Sequence, residues 1–450
     1  MERAQKVKDL GILFLLSAVI LIWNNWSGSL TSWDEALYAQ VSRGIFKSGN
    51  WIDLTWGGSQ WADKPPLYFW MTAIFYKIFG INEFSARLFS SLCGVGTVIV
   101  VYLLALKLYS RQAAISAALV LLSTWHFIWA SKVGMLDGAF TFFVILSLYL
   151  FKLGEERARY LFFCGPAFVL AFMIKGIGAL LIPGIIFVYL LAASKLKILK
   201  TPALWWGIVV SLPVLIWWHW LVIAHYGKFF VDNYFLKHLL RRTGGAMEGH
   251  QGGFFTYFGV IPNKGRPWGA IGLLVLFIAL ARLFWKKEKS NLLLLVWIFL
   301  ALLIFSAAKT KLHWYILPLY PALAILIGWG MEKMFKKRTI IVAVVLFATF
   351  IAYLSVDRKI FKLDYSPQGK ELAVLVNNAV GGKEVILYNV GDPGVQFYLG
   401  KNSRNITGLD ELLNYKNVFV ILTQEHLAGL PQDKIQQVCR TKDFILIKIK

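Results

Sequence analysis

The sequence predicts a mainly α, polytopic membrane protein of about eleven transmembrane helices, with amphipathic helices in long exoplasmic loops and a small C-terminal α/β domain. Three observations predict it. The chain of 450 residues is 58% hydrophobic and only 16% charged, which excludes an ordinary soluble protein, a disordered chain and a coiled coil. Apolar runs long enough to cross the hydrocarbon layer recur as far as residue 355. The formal net charge of +23 sits in short basic clusters between those runs, a pattern of orientation in a bilayer rather than of nucleic-acid binding.

Taken in order, the spans are expected near 10–26, 85–106, 113–131, 136–151, 160–174, 176–193, 204–223, 268–285, 291–307, 313–330 and 338–355. The first follows Arg3, Lys6 and Lys8, as a secretion signal would, but no small residues follow at cleavage spacing, so it reads as an uncleaved span. The pair 160–193 is short and interrupted by Gly and Pro. Alternate loops carry the denser Lys and Arg, among them Lys195, Lys197 and Lys200, then Arg282, Lys286, Lys287 and Lys289, then Lys333, Lys336, Lys337 and Arg338. By the positive-inside rule the N-terminus is cytoplasmic, and an odd span count puts 357–450 outside. Domain 1–356, with exoplasmic loops 27–84 and 224–267, is therefore followed by a periplasmic α/β domain 357–450. In that tail the β-rich runs 384–390, 417–423 and 444–450 alternate with helical patterns such as 368–380. Cys93, Cys164 and Cys439 offer neither a disulfide framework nor a zinc knuckle.

The two long loops carry the ionisable groups, and loops of that length are usually functional. In the first, Ser32 and Glu35 form a capping box, so a helix starts near Trp33 and runs to about Lys47. Leu37, Val41 and Ile45 give it an apolar stripe suited to a membrane surface. A hairpin is expected around Gly57-Gly58, and Lys64-Pro65-Pro66 opens a second surface helix. Asp34, Glu35, Asp63 and Lys64 would then gather near the outer interface.

The second loop supplies the complementary charge, since Lys237, His238, Arg241 and Arg242 fall within about a turn and a half of helix. A third, short loop adds Lys309, Lys311 and His313 beside Tyr315. Each cation alone suits an anionic headgroup, and Asp34-Glu35 alone suits the first turn of a helix. Together they describe a cationic pocket for a phosphate held at the membrane surface. Lys175-Gly176 is a charge between two apolar runs, a usual mark of function. Lys132 and Asp137 flank a turn and read equally as an interfacial ion pair or as part of a site.

The order Asp34-Glu35-x-x-Tyr38-Ala39, Gly49-x-Trp51, Lys64-Pro65-Pro66-Leu67 and Ala86-Arg87-Leu88 resembles the opening loop of GT-C membrane glycosyltransferases of the protein O-mannosyltransferase and lipid A aminoarabinose transferase type. Lys175-Gly176 resembles that family's Lys-Gly turn. His238-x-x-Arg241, with His250 and the aromatic run Phe254 to Phe258, resembles its His-x-x-Arg loop. Lys311-Leu312 with Tyr315 and Leu317-Pro318 resembles its Lys-Leu-x-x-Tyr-x-Leu-Pro segment. The chain departs from the aminoarabinose transferase pattern at Asp63, where that enzyme has Glu, and at Lys237, where it has an acid before the His.

The resemblance implies a GT-C fold and transfer of one sugar from a polyprenyl-phosphate donor to a glycolipid or protein acceptor, outside a bacterial inner membrane. Asp34 is the implied base in an inverting displacement, and Glu35 orients it or the acceptor. Lys64, His238, Arg241, Arg242 and Tyr315 are implied to hold the donor phosphate, with Tyr38, Asp63, Arg87, Asp137, Lys175, His250 and Lys311 as further candidates. No cofactor is required; by family analogy Asp63 and His238 would share a divalent ion. Membrane lipid is a partner, nucleic acid is not, and a monomer is expected. The rival reading is a transporter or flippase of an anionic lipid-linked substrate, but ionisable groups collect at the outer face rather than at mid-membrane.

Overall fold

The computed structural model describes residues 3–31, 33–57, 59–234, 252–356, 367–381, 383–400 and 404–450. They fall into two compact units. The first comprises Met1–Asn25, Ala62–Tyr68 and Arg87–Phe361; the second comprises Trp26–Trp61, Phe69–Ala86 and Lys362–Lys450.

The first unit is helical. Glu83–Leu108, Leu136–Gly154, Ala158–Ala192, Pro202–Tyr226 and Trp268–Lys286 are each long and apolar enough to cross a membrane. The apolar stretches of the first two are mostly buried in protein. Pro202–Tyr226 is only 22% buried and exposes Trp205, Trp206, Val209, Val210 and Trp217, a surface that lipid tolerates and water does not.

Several of the other expected spans are shorter or broken, and five helices, or six with one bent pair, meet the requirements of length and apolar composition among the described residues, against about eleven expected. The expected span 113–131 is two helices, Arg111–Leu122 and Trp125–Lys132, bent by 64°. The Ser123 hydroxyl donates to Leu119 O (2.6 Å) and the Thr124 hydroxyl to Val120 O (2.8 Å), side-chain competition that bends a helix. The spans expected at 160–174 and 176–193 form the single 35-residue stretch Ala158–Ala192, with 3-10 turns at Ala158–Phe163 and Gly176–Leu180. The span expected at 313–330 begins as a 3-10 turn, His313–Leu319, that contains Pro318, and becomes α-helical only at Tyr320–Phe335.

In the second unit, helix Asp34–Ser48 buries Ala36, Tyr38, Ala39, Val41, Ser42, Arg43 and Ile45. Val41 and Ile45 of the predicted stripe are thus covered by protein, not left for a lipid surface. Trp33 precedes the helix at φ 73°, and Glu35 reaches back to accept the Thr31 N–H at 2.6 Å. Ser32, the other half of the expected capping box, lies outside the described residues. The expected hairpin pairs Thr55 with Gln60 and Trp56 with Ser59. The second loop helix runs Leu67–Phe79, directly after Pro65-Pro66.

Residues 367–450 contribute helix Pro367–Val380 and a five-stranded sheet. Its strand order is Arg404–Ile406, Val385–Tyr388, Phe419–Thr423, Phe444–Ile449, Ile435–Arg440. The first three are parallel, and the last two join antiparallel. Alternation splits the apolar residues between two faces: Val385, Leu387, Ile421 and Leu446 join one core with Leu372 and Val376, while Ile386, Val420 and Ile447 join the other.

Candidate functional site

Lys175 ends helix Cys164–Lys175, and Gly176 follows at φ 58°, ψ −132°, a conformation that a residue with a Cβ adopts only under strain. The Lys175 ammonium forms an ion pair with the Asp137 carboxylate, and both side chains are largely buried, 13% and 3% exposed. The same ammonium lies 4.9 Å from the Tyr315 ring centroid and 5.2 Å from that of Phe140. Three segments far apart in the chain therefore meet at one cation.

Gly176 brings two more. A methyl group placed on it would lie 2.8 Å from the Tyr234 hydroxyl and 3.8 Å from Pro65 Cγ, so the glycine seats the Lys64-Pro65-Pro66 segment and the start of the second loop. Gly176→Ala should lower the thermal midpoint, with a cost of about 1–3 kcal/mol from backbone strain alone. A detergent melt at wild-type stability would show that the turn relaxes freely. Lys64 is half-buried, with its ammonium 3.3 Å from Asp63 O.

The reading of Lys132 and Asp137 as partners is corrected by these contacts. Lys132 donates instead to Trp23 O (2.7 Å), Ile20 O (3.3 Å) and Asn25 Oδ1 (3.0 Å), capping the carbonyl end of helix Arg3–Ile22. Lys132 ends one helix and Asp137 lies in the first turn of the next, with extended Val133 and Met135 between them, so nearness in sequence does not join their side chains. Arg87 is fully buried and donates to Asn25 O at 3.1 Å, which ties its helix to the same turn.

Lys311 is also a cap. Its three ammonium protons meet the carbonyls of Phe305 (3.0 Å), Ser306 (2.6 Å) and Ala308 at the end of helix Leu292–Ala307. Burial lowers its pKa. The Lys311 ammonium lies 5.6 Å from the Tyr257 ring centroid, and the Tyr257 hydroxyl donates to Leu312 O at 3.1 Å. Burial, with Tyr315 nearby, raises the Tyr257 phenol, so it stays a neutral donor. Both contacts stiffen the segment that carries Tyr315.

In the second unit, Asp34 is the half-buried first residue of helix Asp34–Ser48. Glu35 is 1% exposed and faces the Thr31 amide, so it orders the loop before Asp34. Tyr38 is 4% exposed and packs edge-on against Trp61 (6.4 Å) and Phe69 (5.6 Å), a core contact rather than an open stacking face. Lys237, His238, Arg241, Arg242 and His250 lie outside the described residues. Among the described residues no three His, Cys, Asp or Glu side chains gather as metal ligands, and of the suggested pair only Asp63 is described, half-buried.

Sequence reasoning missed one buried network. His126 Nδ1 stands 2.9 Å from the Tyr320 hydroxyl, and its Nε2 stands 2.9 Å from His313 Nδ1. This chain links helix Trp125–Lys132 to the turn that carries Tyr315. A lone His in an apolar run carries no signal of such a partner.

The family model described as dolichyl-phosphate-mannose-protein mannosyltransferase matches residues 63–220, which hold Lys64, Asp137 and Lys175. A protein of Aquifex aeolicus is 31% identical over 338 residues, 74% of this chain and 76% of that one. The undecaprenyl phosphate-alpha-4-amino-4-deoxy-L-arabinose arabinosyl transferase 1 of Pseudomonas fluorescens is 31% identical over 309 residues. That match covers 66% of this chain and 54% of the enzyme, so the chain spans about half the length of that relative. The crystal structure of ArnT from Cupriavidus metallidurans bound to undecaprenyl phosphate shares the fold, with TM-score 0.82 over 100% of this chain and 98% of that chain, at 19% identity. A relative matched along most of its length, a glycosyltransferase family model over the Lys-Pro-Pro to Lys-Gly region and this fold lead to one conclusion: the chain belongs to the GT-C membrane glycosyltransferases.

Proposed function

We propose that this protein transfers a sugar from an undecaprenyl-phosphate carrier to a lipid A-like acceptor at the outer face of a bacterial inner membrane, by inverting displacement with no step assigned to a metal ion. In this reading the N-terminus is cytoplasmic, about eleven spans cross the bilayer, and residues 357–450 lie in the periplasm. The observation that carries it is the meeting of the Lys-Pro-Pro, Lys-Gly and Lys-Leu-x-x-Tyr segments around Gly176 and Lys175. Those segments resemble the donor-phosphate region of the family, and the ArnT structure that shares this fold holds undecaprenyl phosphate.

The chemistry follows from where charge develops. As the bond from the anomeric carbon to the phosphate oxygen breaks, negative charge grows on the leaving phosphate. Lys64, with Arg241 and Arg242, is assigned to stabilise it. Tyr315, steadied by Lys175, contributes its hydroxyl. Asp34 accepts the acceptor's proton on the opposite face of the sugar, so the configuration inverts.

The test is a purified transfer assay with undecaprenyl phosphate–4-amino-4-deoxy-L-arabinose and lipid A, with and without EDTA. Transfer insensitive to EDTA is expected. Lys64→Ala should weaken binding of undecaprenyl phosphate about tenfold or more, the size of one charge-assisted hydrogen bond of roughly 1.5–3 kcal/mol. Wild-type affinity in that variant would remove Lys64 from the phosphate site, and no transfer to lipid A would overturn the acceptor class.

A further inference from the structure

The first loop has little to hold it in place by itself. The described residues of 26–61 form one helix, Asp34–Ser48, and a hairpin of two-residue strands. Besides ties from Trp70 and Tyr76 of helix Leu67–Phe79, several of their polar contacts run to one short helix of the C-terminal segment, Pro393–Leu399, and to its cap.

At one end, Arg43 is 8% exposed and donates from Nη1 to Phe397 O at 3.0 Å and from Nη2 to Gly400 O. Lys47 adds a contact to Gly400 O at 3.4 Å. Gly400 is the left-handed cap of that helix, at φ 71°, so two cations sit on the end where helix carbonyls are unsatisfied and the dipole is negative. At the other end, the Tyr398 hydroxyl accepts the Leu30 N–H at 2.6 Å and donates to Glu83 Oε1 at 3.3 Å, while Lys370 pairs with the same Glu83 at 2.7 Å. The Trp56 indole N–H donates to the buried Gln396 Oε1 at 2.9 Å. Phe397 fills the apolar centre with Leu30, Ala36, Ala39, Tyr76 and Ala86.

We propose that helix Pro393–Leu399 is a clamp that sets the position of helix Asp34–Ser48 for the transfer step, with Arg43 as its main positioning residue; this rests on the reading of Asp34 as the base. Geometry gives the clamp its leverage. Asp34 and Arg43 are nine residues apart, roughly 13 Å along a helix, so a tilt of about 5° at Arg43 displaces Asp34 by roughly 1 Å. A misplacement of that size costs about a hundredfold in rate. The C-terminal segment is then part of the catalytic apparatus without touching substrate.

The experiment uses the full-length protein in detergent, with undecaprenyl phosphate as binding probe and undecaprenyl phosphate–4-amino-4-deoxy-L-arabinose with lipid A for turnover. Arg43→Ala should bind the lipid with full stoichiometry and affinity within about twofold, while kcat per bound lipid falls about 10- to 100-fold. Arg43→Lys, which keeps one donor and the charge, should regain part of that loss. Tyr398→Phe keeps the ring and loses the hydroxyl that takes the Leu30 amide, so its kcat should fall in the same direction by less. If Arg43→Ala misfolds, Tyr398→Phe decides the matter. Unchanged kcat per bound lipid in the folded variants, or equal losses of affinity and turnover, overturns the clamp. Full activity of Asp34→Asn sinks the base assignment instead, whatever the Arg43 variants do.

Discussion

Asp34→Asn is expected to stop sugar transfer while leaving the protein folded and able to bind undecaprenyl phosphate. The exchange keeps size and shape and removes only the ability to take a proton, so it isolates general-base chemistry. That chemistry is worth about 10²–10⁴-fold. Folding should survive because Asp34 is half-buried in the first turn of its helix, where losing the negative charge costs only about 0.3–1 kcal/mol of its interaction with the helix dipole. Glu35→Gln makes the contrast. Its carboxylate accepts the Thr31 amide from a buried position, so its loss should lower the thermal midpoint together with turnover. Single-turnover transfer with bound lipid, read by mass spectrometry, separates the two. Asp34→Asn product formation within tenfold of wild type would remove Asp34 as base.

The sequence carried the local parts of this protein far better than the distant ones. Hydropathy located the apolar helices, and Pro65-Pro66 and Gly57-Gly58 marked a helix start and a hairpin, because each depends on residues a few positions apart. It overstated span 113–131, since the bend there comes from the hydroxyls of Ser123 and Thr124, which hydropathy scores as merely weak. It misread Lys132, whose acceptors lie more than 100 residues away in the first helix and the turn after it. The stripe on helix Asp34–Ser48 suggested a lipid surface, yet Val41 and Ile45 are buried in protein, and Ala36 and Ala39 of the same helix pack with Phe397, more than 350 positions downstream. Of the candidate site, the motifs Lys175-Gly176 and Lys311 to Tyr315 were legible. That Asp137 is the carboxylate facing Lys175, and that Lys311 serves as a cap, are facts of packing.

Lys175→Met is expected to damage both stability and transfer, and restoring the first should not restore the second. Removing the ammonium leaves the Asp137 carboxylate, 3% exposed, without its ion-pair partner, and breaking such a buried pair costs about 3–5 kcal/mol. Replacing both members by neutral groups of similar size is usually close to neutral, because the cost of burying charge disappears with the pair. Asp137→Asn combined with Lys175→Met should therefore melt near wild type. Tyr315, however, loses the cation 4.9 Å from its ring, a contact worth about 0.5–2 kcal/mol, and with it the orientation assigned for the donor phosphate. The double variant should stay folded, bind undecaprenyl phosphate more weakly and turn over slowly. A melt, a lipid titration and a transfer assay on the two single variants and the double distinguish the cases. If the double variant recovers turnover along with stability, the Lys175–Asp137 pair is only a strut. If stability alone returns, the charge on Lys175 acts on the donor side of the reaction, and its place beside Tyr315 gives the reason.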